Sequence, residues 1–171
     1  MKTIYLLRHA KSTAKDAPLA DIDRPLSERG EADAKAMADY LAQAGIAPAL
    51  VLCSSARRAR DTLDGVLPGL GRKPVPILED GLYHADASGL LRRLSEVDDA
   101  IPSVMLVGHN PAMEDLARKL ADGGDPVALE RLTAKFPTGA LAVLETDAAA
   151  WRDIKSGRAL LTAFVCPRDL D

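Results

Sequence analysis

The chain has 171 residues, a length that favours one domain with a single continuous core. Its 22 lysines and arginines against 25 aspartates and glutamates give a net charge of −3, so no overall field attracts nucleic acid or an acidic membrane. Any anion site must therefore be built locally. The two cysteines are far apart and form no CxxC motif, and no apolar stretch is long enough to span a membrane. These features predict a single domain over residues 1–171 that works in the cytoplasm.

Apolar runs of strand length alternate with segments of helical periodicity. In chain order they predict a strand at 2–7, a helix at 27–44, a strand at 50–53, a helix at 56–67, a strand at 75–78, a helix at 87–97, a strand at 104–107, a helix at 112–120 and two strands, paired as a hairpin, at 140–144 and 160–165. Ser27 is placed to cap the first helix and Gly45 to end it, and Pro76 marks the third strand as an edge strand. This alternation predicts a three-layer α/β/α sandwich with a mostly parallel central sheet.

Two of the three histidines stand just after predicted strands. Arg8 and His9 follow the first strand, and His109 follows the fourth. Because sites in open α/β sheets form beyond the carboxyl ends of the strands, we expect both imidazoles to face one crevice. A single histidine at a strand end usually has a structural role, so the repetition is what points to chemistry. His84 has no such context and is interpreted as a surface or loop residue.

A third polar element follows the second strand, where the sequence SSARRARDT (54–62) places arginines at the beginning of a helix. Helix N-termini carry partial positive charge and favour acids, so arginines are locally unfavourable there. They become favourable if an anion lies between the helix and the guanidinium groups. We therefore expect at least one of Arg57 and Arg58 beside the two histidines.

Imidazoles and guanidinium groups at one sheet edge favour phosphoryl chemistry. Guanidinium forks suit phosphoryl oxygens, and a histidine among cations stays neutral enough to attack phosphorus. The expected mechanism has one imidazole attack in line, while the arginines and the other histidine stabilise the equatorial oxygens. Water then hydrolyses the phosphohistidine, and a nearby carboxylate could serve as acid and base.

Several motifs resemble those of the histidine phosphatase superfamily, the phosphoglycerate-mutase-like enzymes. LLRHAKS (6–12) resembles the Arg-His-Gly signature, SSARRARDT resembles the block Ser-x-x-x-Arg-Ala-x-x-Thr, and VGHNP (107–111) resembles the block with the second histidine. The similarity is closest to the SixA-like phosphohistidine phosphatases, because DIDRPLSERG (21–30), Gly-His-Asn-Pro and FPTGALAVLE (136–145) look like that subgroup.

The resemblance implies a phosphoglycerate-mutase-like fold and a metal-independent phosphatase without a cofactor. His9 would be the phosphorylated nucleophile, and Arg8, Arg58 and His109 would form the rest of the phosphate pocket. The hydroxyl group of Ser12 would also contact the phosphate.

Two positions depart from the family pattern. Ala10 replaces the signature glycine, which slightly narrows backbone freedom beside the nucleophile. The general acid is harder to place. Glu79 and Asp80 both follow the third predicted strand, and Glu79 is favoured because mutase-type enzymes carry a glutamate there. A phosphohistidine substrate needs less help from an acid, because imidazole is a better leaving group than an alkoxide. A missing acid would therefore point to phosphoramidate substrates.

The short segments between the arginine block and the next helix leave little material for a lid. We therefore expect a shallow, open site that admits a phosphohistidine displayed on another protein and releases inorganic phosphate. Small phosphate esters are the alternative substrates. The DIDRPLSERG stretch is expected either to be a polar loop in which Ser27 caps a helix or to lie near the mouth of the pocket.

Two rival interpretations use the same residues. A zinc site could be formed by His9, His109 and a carboxylate such as Glu79, although arginines would crowd the cation with like charge. A module that binds phosphorylated partners without hydrolysis would keep Arg8 and Arg58 but needs no nucleophile. A dinucleotide site is excluded, because Leu7-Arg8-His9 stands where a glycine-rich turn should be.

Overall fold

The computed structural model describes residues 1–16, 18–155 and 157–170. In this part of the chain there are seven strands: β1 (Lys2–Arg8), β2 (Leu50–Ser54), β3 (Ile77–Glu79), β4 (Ser103–Gly108), β5 (Ala121–Gly124), β6 (Leu141–Thr146) and β7 (Ala159–Val165). The same residues form six α-helices: α1 (Glu28–Gln43), α2 (Arg57–Val66), α3 (Asp80–His84), α4 (Ala87–Ser95), α5 (Ala112–Leu120) and α6 (Pro126–Ala134). None of the helices in the described ranges is long and apolar enough to cross a membrane.

The strands form one sheet in the order β3-β2-β4-β1-β6-β7-β5. The pairs β2–β3, β2–β4, β1–β4 and β5–β7 are parallel, whereas β1–β6 and β6–β7 are antiparallel. The prediction of an α/β fold with a mostly parallel sheet is confirmed, and the last two predicted strands do form an antiparallel pair. β1 lies at the point where the sheet changes from parallel to antiparallel neighbours.

Helices cover both faces of the sheet, as the prediction of three layers requires. Leu41 of α1 and Leu63 of α2 pack with Leu7 on one face. α4, α5 and α6 pack with Leu6 on the other face. The successive residues Leu6 and Leu7 are both fully buried on opposite faces, which is the alternation expected of a central strand.

The register between β1 and β4 positions the candidate site. Arg8 lies opposite Gly108 in this parallel pair, so the residues that follow, His9 and His109, emerge side by side from the carboxyl edge of the sheet. The His9 N–H also donates to the Gly108 carbonyl oxygen at 2.9 Å, which fixes the chain as it leaves β1.

The loop after β1 is held against the beginning of α1. Ser27 caps this helix as predicted, accepting a hydrogen bond from the Gly30 N–H at 3.2 Å. The Ser27 N–H donates to the Lys11 carbonyl oxygen at 2.9 Å. Glycine is required at position 30, because a Cβ there would lie 2.0 Å from that same oxygen. Part of DIDRPLSERG therefore serves to anchor the residues that follow His9.

Some elements differ from the prediction. β3 begins at Ile77 rather than at residue 75, because Pro76 has no N–H to donate to a ladder, and the strand does lie at a sheet edge. β5, α3 and α6 were not predicted. For α6 a signal existed: Asp125 accepts from the Ala128 N–H at 2.9 Å and Pro126 occupies the first turn, the pattern of a capped helix start.

Candidate active site

His9 is held in one orientation by a hydrogen bond to the main chain. It is 8% exposed, and its Nδ1 lies 2.7 Å from the carbonyl oxygen of Ala10. A carbonyl oxygen only accepts, so Nδ1 carries the proton and donates. In the neutral ring this leaves the lone pair on Nε2. His9 therefore presents one defined nucleophilic atom.

His109 lies next to His9, with 5.2 Å between the ring centroids and 54° between the ring planes. Its Nε2 is 2.7 Å from Oγ of Ser54, the last residue of β2, which is fully buried. That hydroxyl oxygen also accepts from the Ala56 N–H at 3.2 Å. The strand ends of β1, β2 and β4 thus combine to orient the two imidazoles.

Two arginines flank the histidines. Nη1 of Arg8 donates to the Phe136 carbonyl oxygen at 2.9 Å. Arg58, with a side chain 8% exposed, donates from Nη1 to the Asp21 carbonyl oxygen at 2.8 Å and from Nη2 to the Asp21 carboxylate at 3.1 Å. Within the described part of the chain, Nε of both arginines is buried and has no hydrogen-bond partner. Each guanidinium group thus has one N–H that no other described residue satisfies.

The environment keeps both imidazoles uncharged. Burial, and after it the charges of His109, Arg58 and Arg8, lower the pKa of His9 to about 3, although the hydrogen bond to the Ala10 carbonyl oxygen opposes this shift. Burial and then Arg58 lower the pKa of His109 to about 4, although Asp21 opposes this shift. Both rings are therefore neutral at physiological pH, which a nucleophilic imidazole requires.

Asp21 is the centre of a polar cluster, and it brings the beginning of DIDRPLSERG to the mouth of the pocket, one of the two positions expected for that stretch. One carboxylate oxygen accepts two hydrogen bonds from Arg24, at 3.1 and 2.8 Å, and the other accepts from Arg58 and from the Tyr83 hydroxyl. These donors, Tyr83 first, hold the pKa of Asp21 well below its usual range. The side chain of Asp21 is 49% exposed, so a fixed negative charge stands at the mouth of the site.

Tyr83 of α3 packs against two of the site residues, His109 and Arg58. Its ring centroid is 5.5 Å from that of His109, with the rings nearly perpendicular, and the Arg58 guanidinium carbon lies 5.8 Å from the Tyr83 ring. The hydrogen bond that Tyr83 donates to Asp21 raises the pKa of its hydroxyl. No local pattern in the sequence indicated this contact, because it joins elements far apart along the chain.

Thr62 links the nucleophile loop to the helix that carries Arg58. Its Oγ1 accepts from the Ala10 N–H at 2.9 Å and donates to the Arg58 carbonyl oxygen at 2.7 Å. Thr62 is 1% exposed, so neither bond can be replaced by water without rearrangement. This contact gives a physical role to the threonine at the end of SSARRARDT.

One cavity of about 440 Å³ is lined by Arg8, His9, Arg58 and His109, together with Asp21 and Arg24. The structure thus brings together the four residues expected to form the phosphate pocket. Ser12 also lines the cavity, and its Oγ accepts from Nη1 of Arg24 at 2.9 Å.

Glu79 is not brought to this cavity. Its carboxylate forms three hydrogen bonds with Arg93, all between 2.9 and 3.0 Å, and lines a different cavity beside α4. Asp80 begins α3 and is not among the residues lining the cavity of His9. The expectation that Glu79 lies at the reacting groups is therefore wrong. Its carboxylate is bound to Arg93 of α4 instead.

The rival zinc site loses its proposed third ligand for the same reason. Within residues 1–16, 18–155 and 157–170, no group of three His, Cys, Asp or Glu side chains is arranged to hold a metal ion. His9 and His109 are accompanied by Arg8 and Arg58, and guanidinium groups bind anions. Arg8 and Arg58 are thus suited to binding a phosphoryl group, and the neutral imidazole of His9 beside them is suited to attacking it.

The family follows from comparison with known proteins. The sequence pattern of the histidine phosphatase superfamily (branch 1) matches residues 4–90, and the chain belongs to that superfamily. An uncharacterized protein of Mycobacterium tuberculosis is 37% identical over 164 residues, which span 95% of this chain and 100% of that protein.

Two solved structures are similar over nearly the whole chain. A protein of Agrobacterium tumefaciens assigned as the phosphohistidine phosphatase SixA is 33% identical, with a TM-score of 0.79 and coverage of 97% of this chain and 98% of that one. A SixA assigned in the same way from Nakamurella multipartitia is 29% identical, with a TM-score of 0.81 and coverage of 96% and 95%. The predicted resemblance to SixA-like members of the superfamily is confirmed.

Proposed function

We propose that this protein is a phosphatase that removes the phosphoryl group from phosphohistidine on a protein, through a covalent phosphohistidine at His9. The observation that carries the proposal is the hydrogen bond from His9 Nδ1 to the Ala10 carbonyl oxygen at 2.7 Å, which leaves Nε2 as the nucleophilic atom beside Arg8, Arg58 and His109. The proposed setting is the cytoplasm, with no metal or cofactor.

In the first step, Nε2 of His9 attacks phosphorus as the bond from phosphorus to the substrate imidazole breaks. The substrate ring, which carries a proton on its other nitrogen, keeps the electron pair of that bond and leaves as neutral imidazole. Arg8 and Arg58 stabilise the charge on the equatorial oxygens, and His109 contributes a further polar contact. In the second step, a water oxygen bonds to phosphorus as the bond from phosphorus to Nε2 breaks. Both protons of the water remain with inorganic phosphate, and His9 returns to its neutral form.

The acid–base inventory of the cavity supports phosphohistidine as substrate. Among the described residues that line the cavity, the one carboxylate is that of Asp21. Since its pKa lies well below the usual range, it is ionised at neutral pH and holds no proton to donate. An alkoxide leaving group needs such a proton far more than an imidazole does. The site therefore favours cleavage of a phosphorus–nitrogen bond over that of a phosphate ester.

The test is to locate the phosphoryl group on the enzyme and to compare substrates. We expect mass spectrometry at mildly alkaline pH, where phosphohistidine survives, to find it on His9 after brief mixing with a phosphohistidine protein. His9→Asn should lose the adduct and turnover, while His84→Asn, a change in an exposed histidine, should retain both. Faster turnover of 3-phosphoglycerate than of the phosphohistidine protein would contradict the substrate assignment, and lasting inactivation by EDTA would contradict metal independence.

A further inference from the structure

A second cavity lies beside the catalytic one and is rich in positive charge. It measures about 300 Å³, and its charged lining residues are Lys11, Arg29, Asp33, Lys135 and Arg168. We call it the basic groove. Four cations against one carboxylate stand out in a chain whose net charge is −3. A local excess of this kind creates a positive potential that attracts anions to the groove.

The basic groove adjoins the catalytic cavity. Lys11 and Thr138 line both, and Lys11 lies two positions after His9. A ligand whose phosphoryl group reaches His9 can therefore extend past Lys11 into the groove without leaving the protein surface. The groove is thus placed to contact a part of the substrate that lies some distance from phosphorus.

The positive charge of the groove is not neutralised by its own carboxylate. Asp33 pairs with Arg29 at 2.9 Å, so these two charges offset each other. Lys11, Lys135 and Arg168 are exposed, and their side chains form no hydrogen bond or ion pair with any other described residue. Three cations are therefore left to interact with a partner.

The catalytic cavity differs from the basic groove in having a carboxylate that contacts Arg58, that of Asp21. Asp21 is held by Arg24 and Arg58 and is the one carboxylate among the described residues that line this cavity, so it is the lining group that repels a second anion close to the phosphoryl group. A small ester with a carboxylate or second phosphate next to phosphorus would meet this charge. A chain segment can instead keep its anionic side chains away from Asp21 and lay them in the basic groove.

We propose that the basic groove binds an acidic segment, rich in Asp or Glu, that flanks the phosphohistidine of the protein substrate. This inference rests on the proposed function and specifies which protein substrates the site prefers. Contacts of exposed charges act mainly on encounter and affinity, so the groove should lower KM for acidic substrates with little effect on kcat.

The test compares two phosphohistidine peptides that differ only in having Glu or Gln at the flanking positions. We expect wild-type protein to show a KM about tenfold lower for the Glu peptide, a preference that weakens as salt is raised. The double variant Lys135→Glu/Arg168→Glu should lose or invert this preference. The milder Lys135→Gln/Arg168→Gln should lose most of it, and circular dichroism should show that both variants are folded.

A matched control makes the same change in charge elsewhere. Arg72 and Arg152 are exposed and line neither cavity, so Arg72→Glu/Arg152→Glu should keep the preference for the Glu peptide. Equal KM values for the two peptides in the wild-type protein would overturn the inference while leaving the proposed function intact. Failure to hydrolyse either peptide, with no phosphoryl group on His9, would instead overturn the proposed function.

The remaining outcome concerns small anions. If the double variant raised KM for a small bisphosphate ester, while the two peptides were hydrolysed alike by the wild-type protein, the groove would be a subsite for a small molecule. That result would also overturn the acidic-segment inference.

Discussion

Arg58 and Asp21 are joined by two hydrogen bonds, one to the main-chain oxygen of Asp21 at 2.8 Å and one to its carboxylate at 3.1 Å. Arg58, which is expected to bind a phosphoryl group, is thus already bound to a carboxylate of the protein itself. A ligand that uses the Nη2 of Arg58 must share it with Asp21 or displace it. If Arg58 binds phosphate as proposed, we expect Asp21 to limit the affinity of the site for that phosphate.

Removing the charge of Asp21 should tighten the binding of inorganic phosphate. For Asp21→Asn we expect the inhibition constant of phosphate to fall by about three- to tenfold, because an amide competes less well for Arg58. The main-chain hydrogen bond to Arg58 remains and keeps the side chain in place. The measurement is competitive inhibition of turnover by phosphate, with Asp39→Asn on the exposed side of α1 as the control. Unchanged or weaker inhibition would show that Asp21 does not compete with the ligand.

Thr62 should be needed to hold the nucleophile loop. In Thr62→Val the buried Ala10 N–H loses its acceptor, which should cost about 1–3 kcal/mol of the free energy of unfolding, measured with urea. We also expect kcat to fall by about tenfold or more, because the His9 ring is oriented by the carbonyl of that same Ala10. Thr62→Ser keeps the hydroxyl and should recover most of both losses. Equal effects of serine and valine would assign the role of Thr62 to packing.

The buried imidazoles should make the folded state sensitive to mild acid. Their folded-state pKa values, about 3 for His9 and about 4 for His109, lie below the unfolded value of about 6.5. As pH falls below about 6.5, the unfolded chain binds protons at these rings before the folded chain does, so the free energy of unfolding decreases until the folded-state values are reached. Above about pH 6.5 the two rings contribute no pH dependence.

Urea unfolding at about pH 7.5 and about pH 5 measures this loss of stability. The double variant His9→Asn/His109→Asn should lose less stability between these two conditions than the wild-type protein. Between about pH 7.5 and about pH 5, protonation of His9 should not reduce kcat/KM. The decrease in kcat/KM that protonation of this ring causes should occur only near its folded-state pKa. A fall in kcat/KM centred near pH 6.5 would show that the nucleophile is not shielded as the structure indicates.

Glu79 should not be needed for turnover. Because its carboxylate is bound to Arg93 and lines another cavity, Glu79→Gln should leave kcat within about threefold of wild type. The half-buried ion pair with Arg93 should cost no more than about 1–2 kcal/mol of the free energy of unfolding when it is lost. A much larger drop in kcat with stability preserved would mean that Glu79 reaches the reacting groups during turnover.

The parts of the site that sequence could predict are those governed by strand ends. Arg8 ends β1, His9 and His109 follow β1 and β4, and parallel pairing brings such residues to one edge. Arg58 follows β2 by the same rule. These positions depend only on recognising the strands, whose apolar runs are clear, and their convergence in the structure does not depend on any long loop.

The parts that sequence could not predict depend on contacts between distant segments. Asp21, Arg24 and Tyr83 come together from a loop and a one-turn helix, neither of which has a period that fixes where its side chains point. Glu79 was misplaced because a strand-end position alone does not show whether a neighbouring helix, here through Arg93, will draw the carboxylate away. α6 is different, since its capping pattern at Asp125 and Pro126 is present in the sequence although no helix was predicted there.

The position of β1 within the sheet has a consequence for hydrogen exchange. This strand is hydrogen-bonded to β4 on one edge and to β6 on the other, so its amide groups are protected from both sides. The amide hydrogens of Ile4 and Leu6 should exchange only when the whole sheet opens. Since His9 is tethered directly to this strand and to Gly108, heat inactivation should coincide with global unfolding rather than precede it.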